Sequence, residues 1–163
     1  MSGWVAQVAS VPTGHGEWWM AWGGGGLVAA ARTRGGAERR ARDAGAVRVE
    51  AGDSEAAPVD PDWSRLPRGF RGRALRACHA LPRGQVITYA ELAARAGSPG
   101  AARAAGSAMA ANPLPVVIPC HRVVRADGAS GGYSAGGTAA KARMLRAEGA
   151  LRPGADRCYS GAP

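Results

Sequence analysis

Between Asn112 and Val124 the chain places a thiol, an imidazole and a guanidinium on consecutive residues, Cys120-His121-Arg122. They follow an apolar run interrupted by Pro113, Pro115 and Pro119. The thiolate is the nucleophilic form of cysteine, and a free thiol of pKa ~8.5 is only about a few per cent ionised at neutral pH. Adjacent cations raise that share, so these residue types suit nucleophilic chemistry at sulfur, with His121 as proton acceptor. Each proline fixes φ and removes a backbone donor. The stretch therefore reads as a rigid, buried, turning segment rather than a helix or a central strand. On these residues alone two readings stay open. Cys120 is reactive, or it is inert packing, because neighbours in sequence need not touch in space.

The elements that would position this segment follow from spacing. From Arg65 onward the pattern is helical, with Phe70, Ala74, Leu75, Ala77 and Cys78 on one apolar stripe, which makes Cys78 a core residue. Pro82-Arg83-Gly84 ends that helix, and Val86-Ile87 is a short extended piece. Thr88-x-x-Glu91 fits a capping box opening a helix to about Ala96. Gly97-Ser98-Pro99 predicts a turn with Ser98 as N-cap and Pro99 as first helical residue of a helix reaching about Ala111. Two short helices across a tight turn suggest a helix-turn-helix. The second helix offers Ala101, Ala102, Ala104, Ala105 and Gly106 around Arg103, with few groups that could read base edges. A smooth helix of this kind can enter a groove without sequence preference; its bland alternative is burial, against which Arg103 argues. Asp127-Gly128 and the glycines of 131–137 predict a hairpin, or wing, and a last helix runs from about Thr138 to Ala147 with Gly149 beyond its end.

Residues 1–57 read as a small β-rich unit, with strands at 4–8, 18–22, 27–31 and 47–49 and a short helix over 37–44. Its tryptophans are assigned to its core. We assign 58–67 as a linker, 68–150 as the second domain and 151–163 as a loose tail in which Cys158 has no role. The fold class expected is α+β.

Several separated pieces, in order, resemble one family. Ile118-Pro119-Cys120-His121-Arg122-Val123 is similar to the active-site motif of the O6-alkylguanine-DNA alkyltransferases (methylated-DNA–protein-cysteine methyltransferases). Ile87-Thr88-Tyr89, Ala101 to Gly106, Asn112-Pro113, Gly132-Tyr133-Ser134 and Glu148-Gly149 keep the same register, so the resemblance runs from about Phe70 to Gly149. It implies a shortened ribonuclease-H-like N-terminal unit followed by a winged helix-turn-helix-like alkyltransferase domain. It implies irreversible transfer of a methyl or larger alkyl group from O6-alkylguanine in duplex DNA, with O4-alkylthymine as a second substrate, to Cys120 after base flipping. His121 would take the thiol proton, Glu148 would orient the imidazole and Asn112 would hold the turn around Cys120. Tyr89 would help turn out the nucleotide and Arg103 would fill its place, with Ala101, Ala102, Ala104 and Gly106 against the groove. Tyr133, Ser134, Val123 and Met109 would line the base pocket. No cofactor is implied. The metal site that some members carry in the N-terminal domain would lack ligands, since His15 is the one His there and that unit has no Cys. Ala135 departs from the family's Tyr-Ser-Gly-Gly, which predicts a wing one residue longer or narrower and leaves open how large an alkyl group fits.

Composition agrees with a polyanionic partner. Residues 1–64 hold six Arg against eight acids, net −2, and residues 65–163 hold fourteen Arg and one Lys against four acids, net +11. Three irregularly spaced cysteines make no disulfide framework, and no leader-like or membrane-spanning stretch is read, so a reducing, cytoplasmic setting is expected; the partner expected is duplex DNA, met by a monomer. Three other functions fit parts of the chain. A non-catalytic binder of alkylated bases would have no need of Cys120. A winged-helix regulator would carry base-reading side chains on its second helix. A cysteine hydrolase finds no further support.

Overall fold

A computed structural model describes residues 3–155, 157 and 158. The chain is mixed α+β and divides into two compact units, Met1–Pro67 with Pro113–Val117, and Arg68–Asn112 with Ile118–Pro163. Among the described residues no helix is long and apolar enough to cross a membrane.

The first unit is a four-stranded sheet in the order β3-β2-β1-β4. Strands β1 (Trp4–Thr13), β2 (Gly16–Gly23) and β3 (Gly26–Ala31) form an antiparallel meander, and β4 (Ala46–Ala51) pairs parallel to β1. Helix α1 (Arg34–Asp43) carries the chain from one edge to the other across one face of the sheet. Ala6, Ala21, Ala29, Ala31, Ala37 and Ala41 build that interface with Val8 and Val28. Small side chains let the helix axis approach the sheet closely. Trp18, Met20 and Trp22 alternate with these along β2 and are also buried, as core tryptophans should be. Helix α1 begins three residues before the expected Ala37. Thr33 caps it, its hydroxyl accepting from Gly36 N at 3.2 Å, which offsets the poor helix propensity of Gly35 and Gly36.

The expected linker is not free. Leu27 N donates to Asp60 O (2.9 Å) and Asp62 N to Leu27 O (2.7 Å), so the segment pairs with the start of β3. Asp62 and Leu66 are buried, and Asp62 Oδ1 accepts from Ser64 N and Oγ. Acids and prolines predicted an open tether, whereas local side-chain-to-backbone bonds make a packed strap. Pro113–Val117 also belongs to this unit, with Ala30 N on β3 donating to Pro113 O at 2.8 Å. Within it Val116 has φ of 75°, a strained conformation for a β-branched residue.

In the second unit, α2 (Gly69–His79), α3 (Tyr89–Arg95) and α4 (Ala102–Ala110) pack on one another, and α5 (Gly137–Ala147) follows the Cys120 segment. Cys78 is fully buried on the α2 stripe, as expected. The Thr88–Glu91 capping box is formed in both directions. Two-residue strands β5 (Ile87–Thr88) and β6 (Val123–Val124) pair parallel. Arginines close the helix ends: Arg71, Arg73 and Arg83 donate to Ala111 O, Ala96 O and Ala147 O at 2.6, 2.8 and 2.8 Å. Part of the positive charge in this half is therefore structural.

Three expectations need correction here. Helix α4 starts at Ala102, with Ala101 rather than Ser98 at the N-cap position. Gly97 and Gly100 have φ of 79° and 86°, and Ser98 N is used by the end of α3, donating to Ala93 O, so no helix can begin at Pro99. The expected hairpin is a single tight turn, Arg125 N to Ala129 O (3.0 Å) and Gly128 N to Arg125 O (2.9 Å), with no return strand among the described residues. Its partner is the chain end, through Cys158 N to Gly128 O at 2.8 Å and a bridge between Ala129 and Arg157. The tail is thus not loose over its described residues: Leu151 and Cys158 pack with Val86, Val124 and Leu145.

Candidate active site

Cys120 opens one turn of 3-10 helix, Cys120–Arg122, with Pro119 before it and β6 after it. The turn is closed by Arg122 N donating to Pro119 O at 2.9 Å. Asn112 is buried and its Nδ2 donates to Ile118 O at 2.8 Å, tying the start of the segment to its end. Asn112→Ala would strip a buried carbonyl of this donor. A loss of about 1–3 kcal/mol in denaturant unfolding is expected, and an unchanged midpoint would show that the bond is dispensable.

His121 is fully buried, and its Nε2 lies 2.9 Å from Glu148 Oε1. Glu148 is the C-cap residue of α5. The helix ends in a Schellman arrangement, with Gly149 at φ 76° donating to Arg146 O and Ala150 N donating to Leu145 O. That termination fixes where the carboxylate points. Arg122 meets the same carboxylate through both a 2.8 Å bond from Nε to Oε2 and a 2.8 Å bond from Nη2 to Oε1. Its remaining Nη1 donates to Leu81 O. The buried negative charge is therefore matched by a fork of donors and by the imidazole. Nε2 is thus engaged by the carboxylate, and His121 directly follows Cys120 in the turn.

Tyr89 is the first residue of α3 and is half-buried. A β-carbon at Gly106 would lie 4.0 Å from the Tyr89 ring, so α4 passes close to it. Burial pushes the Tyr89 phenol up, and the neighbouring Cys120 and Cys78 sulfurs add to this. Arg103 and Ala104 are exposed on α4, Ala101, Ala102 and Gly106 are partly exposed, and Met109 is buried. Tyr89, Ala90, Ala102, Arg103, Arg125, Ala126 and Asp127 line an open groove of about 420 Å³. Cys120 and Tyr133 are outside that lining, 4% and 8% exposed, while Ser134 is exposed and Val123 buried. The loop around Ala135 folds back on itself, Gly137 N donating to Tyr133 O at 2.8 Å.

Residues 69–150, which hold every one of these groups, match the model of the 6-O-methylguanine DNA methyltransferase DNA-binding domain. The chain belongs to this family. A methylated-DNA–protein-cysteine methyltransferase of Methanothermobacter thermautotrophicus is 48% identical over 95 residues, 56% of this chain and 52% of that protein. The chain thus spans about half the length of this curated relative. Mycobacterium tuberculosis OGT in complex with DNA is similar in structure, with a TM-score of 0.61, 25% identity and 88% and 93% of the two chains covered. The O6-methylguanine-DNA methyltransferase of Pyrococcus kodakaraensis has a TM-score of 0.60 at 29% identity, covering 88% of this chain and 99% of that one.

The residue that sequence reasoning missed in this family member is Lys141. It is fully buried on α5 and its Nζ donates to Val123 O at 2.7 Å. The same nitrogen lies 5.8 Å from the Tyr89 ring centre. A signal existed: Lys141, Met144, Leu145 and Glu148 share one helical face, so two charged groups stand on the stripe meant for the core. Burial pulls the Lys141 ammonium down to about 8, against the opposing pull of the Cys120 sulfur. The unfolded chain then holds that proton more tightly than the folded one. Folding should gain stability as pH rises from about 8 towards the ordinary 10.5, and below 8 the penalty is present in full. Lys141 is the chain's one lysine, so ¹³C-labelled lysine gives a single side-chain resonance. That resonance is expected to titrate near 8, and a midpoint above 10 would contradict the burial argument.

Proposed function

We propose that the protein repairs DNA by taking an alkyl group from O6-alkylguanine onto Cys120, once per molecule. The observation that carries this reading is the 2.9 Å contact of Glu148 with His121, the residue that follows Cys120 in one short turn. His121 takes the thiol proton, directly or through one water, and Glu148 stabilises the imidazolium. The thiolate attacks the alkyl carbon, the carbon–O6 bond breaks, and its electron pair stays on the guanine, which gains a proton. The product is a thioether, so each molecule acts once.

The target oxygen lies inside the duplex, so the nucleotide is everted, costing a few kcal/mol. Tyr89 turns it out, Arg103 takes its place in the stack, and Ala101, Ala102, Ala104 and Gly106 allow close approach of α4 to the groove. Tyr133, Ser134, Val123 and Met109 form the base pocket, with Asn112 holding the turn that carries Cys120. Since Cys120 is 4% exposed, a base reaches Sγ only once the groups that cover it move aside. The N-terminal unit is read as a shortened ribonuclease-H-like domain and the second as winged helix-turn-helix-like, although its wing is reduced to a turn. The substrate set extends to O4-alkylthymine, the protein acts as a monomer, and free thiols suit the cytoplasm.

The test is incubation with a duplex carrying O6-methylguanine, followed by intact-mass and peptide analysis. A gain of one methyl group on Cys120 is expected. An unchanged mass with retained affinity for the lesion would favour a non-catalytic binder.

A further inference from the structure

Arg125 and Asp127 lie at the groove that holds Tyr89 and Arg103, yet the alkyl-transfer reading gives neither a task. The backbone beneath them is firmly held. Arg125 sits between β6 and the turn closed by its own amide and carbonyl, and Cys158 N braces Gly128 from the far side. Asp127 Oδ1 accepts from Ala129 N at 3.0 Å. The side chain above this base is much less constrained: Arg125 is 64% exposed and its Nε stands 3.6 Å from Asp127 Oδ1. An exposed pair at that separation contributes little, so the guanidinium can exchange its carboxylate for a better anion.

Its place beside the nucleotide path is fixed by Gly131. A β-carbon there would lie 3.5 Å from Arg125 Cγ and 3.7 Å from Tyr89 Oη. The arginine stem and the tyrosine hydroxyl thus flank the same bare α-carbon. The groove between Arg125 and Arg103 is walled largely by Ala90, Ala102 and Ala126, which lets a polyanionic backbone come close. A guanidinium meets phosphate through two parallel donors, a geometry that a carboxylate 3.6 Å away does not satisfy.

We propose that Arg125 is a positioning residue that clamps a DNA phosphate next to the everted nucleotide, with Asp127 as its resident counter-ion when DNA is absent. The inference rests on the alkyltransferase reading and adds a phosphate contact from the turn that follows β6. It predicts substitutions of opposite sign. Arg125→Ala should weaken binding of an undamaged duplex by about fivefold to tenfold at low salt and reduce the salt slope by about one counter-ion. Asp127→Asn, which keeps a side-chain acceptor for the turn, should tighten binding by about twofold to fivefold.

Fluorescence anisotropy against salt concentration, with wild type, Arg125→Ala, Arg125→Gln and Asp127→Asn, reads both effects. Thermal unfolding of each variant shows whether the turn persists. An unchanged salt slope in the folded Arg125 variants overturns the clamp. So does weakening by Asp127→Asn in parallel with them, since the pair would then only staple the turn. A wild-type protein that neither binds duplex nor gains a methyl group overturns the alkyltransferase reading and the clamp together. Methyl uptake with an unchanged slope overturns the clamp alone.

Discussion

Cys120→Ser is expected to eliminate methyl uptake while leaving affinity for lesion-bearing duplex within about twofold of wild type. The substitution removes one atom's chemistry and almost none of its volume. A serine hydroxyl is ionised far less than a thiol at neutral pH and is a poorer nucleophile, so the attacking species vanishes. Tyr89, Arg103 and Ala104, the residues proposed to meet DNA, lie on α3 and α4 and are untouched. Intact-mass analysis separates the two readings, and any methyl gained by the variant would move the acceptor to another residue. Cys78 and Cys158 are poor alternatives. Burial raises both thiols, strongly so for Cys78, where the Cys120 sulfur adds to the effect. Cys120 is set apart by its place next to His121 in the 3-10 turn, not by residue type.

Glu148→Ala should have the largest effect on stability. It leaves the Arg122 guanidinium and the fully buried His121 without the carboxylate that both address at 2.8–2.9 Å. Breaking a buried, hydrogen-bonded charge cluster from one side costs about 3–5 kcal/mol. Loss of the group that orients the base should also slow transfer by about 10²–10⁴-fold. Glu148→Gln separates the two effects, since an amide keeps the shape and one acceptor but removes the charge. Stability should then recover in part while the single-turnover rate stays low. If Glu148→Gln transferred at the wild-type rate, the carboxylate would be an anchor for Arg122 and not a partner of the proton acceptor.

How much of this could be read from the residues depends on the range of the interaction. The capping box at Thr88–Glu91 and the three-strand meander are local, and they stand where spacing put them. The Cys78 stripe is likewise local. Ser98-Pro99 is a strong local signal as well, but Gly100 at φ 86° overrides it, and the sequence shows a glycine without showing its angle. The strap at 58–67 and the chain end at 157–158 depend on backbone pairing with residues far away, at Leu27 and at Gly128–Ala129. Such pairing leaves no periodic trace. The Glu148–His121 contact spans 27 residues and entered through the family resemblance, since spacing alone could not bring them together. Lys141 shows the reverse case, where the pattern was present but a lone lysine among arginines reads as surface charge.

The passage of Pro113–Val117 through the first unit bears on how far that unit can be whittled down. A fragment starting at Arg68 would keep every residue of the proposed site, but it would lack the strand whose Ala30 amide donates to Pro113 O. Val116 would then be free to relax out of its left-handed backbone angle, two residues before the Ile118 carbonyl that Asn112 grips. The small sheet is, on this view, a splint for the Pro113–Val117 backbone, and selection could shorten everything about it except the strand that carries Ala30.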